Sequence, residues 1–303
     1  MEISVNMNDT EICVKAPAKI NLTLDVTGRR PNGYHDLRML MQTIDLYDTV
    51  TIRRVEQESI TLTMNRELPD KIPQEKNLVW KAASLMKETY HISGGFAIYL
   101  EKKIPAAAGL AGGSADCAAT LIGINRLCGL ELSEEALCEL GVTLGADVPF
   151  CIRKGTALSE GIGEILTPLP PFEALWTVLI KPDISVSTAY VYTHLDLEHL
   201  QEHPDTDRLV DCIRRNDTAS VTDGLCNVLE TVTIPEYPVL NTLKEWLKAQ
   251  GAAGALMSGS GPTVFGLFTN PKAAAKAHEE MRFGAGAELA KQVYLTNFYN
   301  PRG

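Results

Sequence analysis

The sequence predicts an α+β protein in two domains, and three observations carry the prediction. Segments with strand character and segments with helical spacing are mixed along the chain without a strict βαβ alternation. At 303 residues the chain is too long for one small core and long enough for two domains. The stretch "TPLPPFEAL", residues 167–175, holds three prolines and is the best place for a linker. The expected domains are therefore 1–166 and 167–303.

The elements follow in order. Residues 11–26, "EICVKAPAKINLTLDV", are rich in β-branched side chains, and the alternation in "INLTLDV" reads as a half-buried strand. "GRRPNGYH" supplies turn chemistry through Pro31, Asn32 and Gly33. "LRMLMQTIDLYDTVTIRRV" and "SITLTM" read as further strands of an antiparallel sheet. In "NLVWKAASLMKETY" the period changes: Leu78, Val79, Ala82, Leu85 and Met86 fall on one helical face behind Asn77 as N-cap. "GGFAIYLEKKI" returns to strand. In the next segment, "IPAAAGLAGGSADCAATLIGINRL", Ala115, Ala118, Ala119 and Ile122 form one apolar stripe. Cys117, Leu121, Ile124 and, just beyond, Cys128 form another, which predicts a helix buried on both sides. "SEEALCELGVTLG" is a further helix, capped by Ser133, with Glu134 and Glu135 at its positive end. After the prolines come the strand "WTVLIKP" and helical segments over roughly 187–248. The strands "AGALMSG" and "PTVFGLF", a helix over 271–282 and a last strand "QVYLTNF" complete the pattern.

Composition narrows the function classes. Hydrophobic content of 45% and charged content of 22% are those of an ordinary globular protein. A net charge of −10 argues against a nucleic-acid partner, which asks for a basic face. It leaves room for an anionic small molecule, because a few amides and lysines set the potential of one cleft. The seven cysteines are odd in number and form no C-x-x-C pair, which argues against a disulfide framework or a zinc site. Cys117, Cys128, Cys138 and Cys151 read as small core residues. The opening "MEISVNMNDTEI" is acidic and lacks the pattern of a signal peptide, and no apolar run approaches the ~20 residues of a membrane span. A cytoplasmic protein with no membrane partner is expected; the oligomeric state stays open.

Residues 104–127 carry the most chemistry. Strand, small-residue loop and buried helix, in that order, create an anion site, because the first turn of a helix has amides without intrahelical partners. Gly109, Gly112 and Gly113 would let phosphates approach the backbone, and the hydroxyl of Ser114 would reach a phosphate oxygen or a bound Mg²⁺. Close helix–sheet packing accounts for the same small residues. The pattern is neither G-x-G-x-x-G nor G-x-x-x-x-G-K-[ST], so the general nucleotide motifs do not decide between the two readings.

Three segments together do. "PAKINLTLDVTGRRPNGYHDL", "PAAAGLAGGSADCAA" and "MSGSGPTVFGLF" resemble, in order, the three motifs of the GHMP kinases, the group of galactokinase, homoserine kinase, mevalonate kinase and phosphomevalonate kinase. The resemblance runs from about residue 11 to 298. It implies an N-terminal ATP-binding domain like ribosomal protein S5 domain 2 and a C-terminal ferredoxin-like α/β plait. Within the family, "KINLTLDV", "GYHDL", "GADVPF" and "EGIGEIL" are most similar to the branch that phosphorylates a cytidine diphosphate derivative of methylerythritol in the non-mevalonate isoprenoid route.

The resemblance also implies roles. Pro105, Ala106, Ala107, Ala108, Gly109, Leu110, Ala111, Gly112, Gly113, Ser114 and Ala115 match the ATP phosphate loop, with Ser114 as the candidate ligand of Mg²⁺. Asn77, Lys102 and Lys103 fall on the adenine side, although a helix cap and a solvated lysine pair explain them equally well. Asp147 matches the acid beside the acceptor hydroxyl, and Lys19 would hold it ionised. Taken alone, Asp147 is a loop Asp making an Asx-turn before Pro149, and Lys19 is an exposed strand lysine. Tyr34 and Tyr192 would stack on the cytosine ring and His35 would read its edge, while Asn21 and Thr188 would bind the polar part of the substrate. "MSGSGPTVFGLF" is a tight turn by itself and, in the family, supports the phosphate loop. Two alternatives remain: a family member with another alcohol acceptor, and a ligand-binding relative without chemistry. Convergence of Tyr34, His35 and Tyr192 tests the first. The presence of Lys19, Ser114 and Asp147 argues against the second.

Overall fold

Two long strands, β1 (Glu11–Arg29) and β2 (His35–Val55), pair antiparallel over almost their whole length, from Glu11 opposite Arg53 to Arg29 opposite His35. The computed structural model describes residues 10–66, 73–172, 174–284, 286–290 and 292–301, so the acidic opening stretch 1–9 lies outside the described residues. The register of the β1–β2 pair shifts between Pro17 and Lys19, between Asn21 and Thr23 and between Val26 and Gly28. Such bulges re-aim side chains, and Lys19 and Asn21 lie between the first two of them.

The chain continues through β3 (Ile60–Met64), α1 (Leu78–Thr89), β4 (Gly95–Glu101), α2 (Gly112–Leu127), α3 (Glu134–Val142), α4 (Val148–Arg153), β5 (Thr156–Gly161) and β6 (Ile165–Pro168). One sheet takes all of these strands, with β4 and β5 sharing the second edge of β2. The expectation of a purely antiparallel sheet is corrected at β3, which pairs parallel with β4. Alternation in "SITLTM" marks a strand but carries no direction. Direction is decided by α1, which returns the chain to the same end before β4 begins. The hairpin β5–β6 and the short helix α4 were not legible in the sequence.

The second half comprises β7 (Trp176–Lys181), α5 (Thr188–His194), α6 (Thr206–Arg214), α7 (Thr218–Asp223), β8 (Cys226–Asn227), α8 (Glu230–Glu236), α9 (Val239–Ala249), β9 (Gly254–Met257), β10 (Val264–Phe268), α10 (Pro271–Phe283) and β11 (Gln292–Asn297). Its sheet is antiparallel, ordered β11-β7-β10-β9. The mixture of helix and sheet is the predicted α+β class.

Three apolar clusters hold the molecule together. One lies between α2 and the β1–β2 ladder, with Ile12, Val14, Val50 and Ile52 facing Cys117, Leu121 and Ile124. Gly123 is required there, since a Cβ would stand 2.6 Å from Ile52. A second joins Leu24 and Met41 to Val178, Leu243 and Met257, and a third joins Ile20 and Leu40 to Leu179 and Phe265. The halves therefore share core, and β8 adds a parallel contact with Thr23 and Leu24 of β1. The proline-rich stretch is packed as well: Leu169, Phe172 and Leu175 are buried.

Candidate active site

The loop between β4 and α2 has a left-handed residue at every second position: Ala107 (φ 47°), Gly109 (φ 72°) and Ala111 (φ 55°). Two of these are alanines in a region that disfavours side chains. Ala111 stands at the N-cap of α2 and can offer no side-chain cap. The starts of α1, α3 and α10 are closed by Asn77, Ser133 and Asn270, whereas the first amides of α2, at Gly112, Gly113 and Ser114, are not. Pro105, Ala108, Leu110 and Ala115 are buried. Ala106, Ala107, Gly109 and Ala111 are half-buried or exposed, so the loop presents backbone rather than side chains.

Gly109 shows why the loop needs its glycine. A Cβ there would collide with the carbonyl oxygen of Ser258, and the Ser258 hydroxyl donates to the Gly109 carbonyl at 2.9 Å. The "SGSG" turn thus lies against the loop. Asn227 fixes the turn by donating from Nδ2 to the carbonyls of Met257 and Gly259, both at 2.8 Å.

Lys19 reaches the same place from β1. Its backbone N–H donates to the Leu110 carbonyl at 3.1 Å. Its ammonium donates to Asn21 Oδ1 at 2.7 Å and lies 3.9 Å from Asp147 Oδ2. Lys19 is 5% exposed, so the reading of an exposed strand lysine is corrected: the bulge turns it inward. Asp147 occupies the N-cap position of α4 yet makes no side-chain cap bond. The Asx-turn reading has no support in that geometry, and the carboxylate faces Lys19 instead. Ser114 Oγ lies 3.8 Å from the place a Cβ on Gly145 would occupy, two residues before Asp147 in the chain. Beneath Asp147, burial and then the Asp147 charge push the Cys151 thiol well above its ordinary range, so this cysteine stays protonated.

The nucleobase candidates meet in part. His35 and Tyr192 come together with ring centroids 5.2 Å apart and planes at 33°. Burial, followed by the Asp147 charge, raises the Tyr192 phenol. Burial and then Arg29 lower His35 below the ordinary histidine value. Thr188 shares a 2.8 Å hydrogen bond between hydroxyls with Ser260. Tyr34 stands apart at 55% exposed, with its amide held by Asn32 Oδ1. The turn places its backbone beside His35 but leaves its ring in solvent.

On the expected adenine side, Asn77 caps α1 by accepting from Val79 N at 2.9 Å. Lys103 is exposed, but Lys102 is not part of a solvated pair. Its ammonium is buried, pairs with Asp48 and lies 2.6 Å from Asp116 Oδ2. Asp48 Oδ1 also accepts from the amides of Lys103 and Ile104, at 2.5 and 2.8 Å. This cluster joins the end of β4 to the first turns of α2. It was missed, although a charged Asp116 inside an otherwise apolar helix face was a signal. Asn227 left none.

Residues 77–155 match the family model of the GHMP kinases N terminal domain, and residues 209–285 that of the GHMP kinases C terminal domain. A protein of Lachnoclostridium phytofermentans named 4-diphosphocytidyl-2-C-methyl-D-erythritol kinase is 51% identical over 292 residues, 96% of this chain and 98% of its own. The chain belongs to the GHMP kinases. A relative of the same printed name from Caldicellulosiruptor saccharolyticus is 47% identical over 93% of this chain and 95% of its own. Among solved structures, a 4-(cytidine 5'-diphospho)-2C-methyl-D-erythritol kinase superposes with a TM-score of 0.80 at 32% identity, over 95% of this chain and all of that one. The homoserine kinase of Cytophaga hutchinsonii, at 24% identity and a TM-score of 0.74 over 98% of each chain, shares the fold. The two-domain GHMP kinase fold is thus the fold of this chain, and the family is one of ATP-dependent kinases. No helix among the described residues is long and apolar enough to cross a membrane.

Proposed function

We propose that this GHMP kinase transfers the γ-phosphoryl group of ATP to a hydroxyl of 4-diphosphocytidyl-2-C-methyl-D-erythritol, giving the 2-phosphate and ADP for isoprenoid precursor synthesis. The observation that carries the reading is that Lys19 ties the loop before the uncapped head of α2 to Asp147, through Leu110 on one side and its ammonium on the other, while His35 and Tyr192 meet as a ring pair. Relatives of that printed name, at 43–51% identity, support the substrate.

In this reading the open amides of Gly112, Gly113 and Ser114 hold ATP phosphates at the positive end of α2. Asp147 accepts the proton of the alcohol as its oxygen bonds to the γ-phosphorus and the bond to the bridging oxygen of ADP breaks. Lys19, 3.9 Å from Asp147, adds positive charge where the transferred oxygens gather, while Asn21 fixes the ammonium. His35 and Tyr192 take the cytosine ring and Thr188 orders the polar part of the substrate, while Tyr34, whose ring stands in solvent, would have to turn inward to stack on the base.

Mg²⁺ fits the donor set, because this hard cation is usually held by phosphates, waters and one or two protein oxygens. The Ser114 hydroxyl is the candidate ligand, and when bound the ion would neutralise developing phosphate charge. The domains are taken to divide at 166/167, inside the short edge strand β6 at the start of the proline-rich stretch. A cytoplasmic setting belongs to the same reading and is supported by the free state of all seven cysteines. ADP release, measured over a panel of alcohols with and without a cytidine diphosphate group, tests the proposal. Turnover of the cytidine compound above all others is expected; equal turnover of homoserine or mevalonate would overturn it.

A further inference from the structure

The segment that follows α5 is tied to the first sheet by two opposite charges. Asp25 of β1 and Arg38 of β2 are register partners in the ladder. His203 Nδ1 lies 2.7 Å from Asp25 Oδ1. Asp207, in the first turn of α6, takes both Arg38 Nη2 and Nη1, at 2.6 and 3.0 Å. We propose that residues 195–207 are a charge-pinned strap that positions Tyr192 over the nucleobase subsite, which makes Asp25, Arg38, His203 and Asp207 positioning residues for substrate selection. The inference rests on the reading that His35 and Tyr192 take the cytosine ring.

The placement of the pins supports this. Arg38 is three residues along β2 from His35, and Asp25 is four residues along β1 from Asn21. The strap leaves α5 directly after His194, two residues beyond Tyr192. With only seven residues, α5 cannot hold its own position and depends on tertiary contacts. Its first residue, Thr188, is held by Ser260. Its far end is continuous with the strap, whose Leu195, Leu197 and Leu200 pack on the same apolar cluster as Leu24 and Val26 of β1.

The chemistry of the pins is complementary. Asp25 is buried, and a buried carboxylate needs a donor, which His203 supplies. Arg38 presents two parallel N–H groups to Asp207, the stronger geometry for such a pair, with Glu160 also 3.4 Å from Arg38 Nε. One pin pairs a guanidinium on the sheet with a carboxylate on the strap, and the other pairs a carboxylate on the sheet with an imidazole on the strap.

The test uses the full-length enzyme, with ADP release followed against the cytidine diphosphate substrate and, separately, against ATP. Asp207→Asn and His203→Ala are each expected to raise the KM for the cytidine compound about fivefold, the scale of one ion pair. The KM for ATP and kcat are expected to stay unchanged in both; the melting temperature should hold in Asp207→Asn and fall in His203→Ala, which leaves the buried Asp25 carboxylate without its donor. The double variant Arg38→Met/Asp207→Asn is expected to raise the KM no further than Asp207→Asn alone, as for two residues that act through one pair. The strap is overturned if wild type turns over and the single variants keep its KM. It is also overturned if they raise the KM for ATP and for the cytidine compound alike, or if the double variant adds a further rise in the KM for the cytidine compound. A wild type that makes no ADP from the cytidine compound removes the nucleobase reading itself, and the strap falls with it.

Discussion

The backbone N–H of Lys19 donates to the carbonyl of Leu110 at 3.1 Å. One hydrogen bond thereby joins the bulged part of β1, which aims the lysine, to the loop that leads into α2. The acid partner, Asp147, stands at the head of another helix and faces the same ammonium at 3.9 Å. In the proposed function the phosphate side and the acceptor side of the site meet at this lysine. Asp147→Asn keeps the shape and removes the base, so kcat is expected to fall about 10²–10⁴-fold. ATP affinity, read by a direct binding assay, should move little, because the amides of α2 are untouched. Lys19→Met should lower kcat as well. A variant of Asp147 with wild-type turnover would end the assignment of the base.

The loop and the "SGSG" turn approach backbone to backbone at Gly109, where any side chain meets the Ser258 carbonyl. Gly109→Ala also has to hold a left-handed φ of 72°. Strain of this kind costs about 1–3 kcal/mol before the collision is counted. The expected outcome is a clear drop in melting temperature together with a higher Kd for ATP, measured by calorimetry. Ala106→Gly, which adds no atom and meets no collision, should leave the Kd for ATP nearly unchanged and lower the melting temperature only by the small entropy cost of a glycine.

These predictions show how far the sequence could be read. The buried helix α2 was legible from its two apolar stripes, and Ser114 falls in its first turn as expected. The caps at Asn77 and Ser133 were legible because capping chemistry is local. Three features were not. The parallel pairing of β3 depends on the route through α1, which alternation does not encode. The inward turn of Lys19 depends on bulges that only the β1–β2 pairing reveals. The Lys102 cluster joins Asp48, Lys102 and Asp116 from three separate elements, and no spacing rule connects them. Tyr34 shows the converse: a motif placed it beside His35 in sequence, while its ring stands in solvent.

His35 yields a pH prediction. Burial, then Arg29, holds its pKa below the ordinary value of about 6.5. The ring is therefore neutral near neutral pH, with one donor and one acceptor for the cytosine edge. Protonation removes the acceptor, so the KM for the cytidine compound should be flat above about pH 7 and rise as pH falls below the depressed value. The sign for stability agrees. The unfolded chain takes up this proton first, so stability falls as pH drops from about 6.5 towards the folded-state pKa and is unaffected above it. His35→Gln should flatten the KM profile. His35→Ala should cut discrimination between cytosine and uracil compounds about tenfold or more. Unchanged discrimination in that variant would remove His35 from base selection.

Lys154, at the end of α4, offers a gain in stability. Its backbone sits at φ 63° and ψ −169°, a region open in practice to glycine alone. Its side chain is partly buried, and burial pulls its pKa down from the ordinary lysine value. Lys154→Gly removes a strain of about 1–3 kcal/mol and adds about 1 kcal/mol of chain entropy cost, for a net gain near 1 kcal/mol. A rise of about 2 °C in melting temperature is expected for a chain of this size. Lys154→Ala separates the causes, since it removes the ammonium and keeps the strained backbone. Glycine should therefore stabilise and alanine should not. If alanine raised the melting temperature as much, the desolvated charge rather than the backbone would be the source. Because α4 opens at Asp147, kcat for the glycine variant, measured alongside, reports whether the far end of the helix is needed to hold the acid in place; with Asp147 fixed at its own end by the Val148–Gly145 turn, it should stay at the wild-type value.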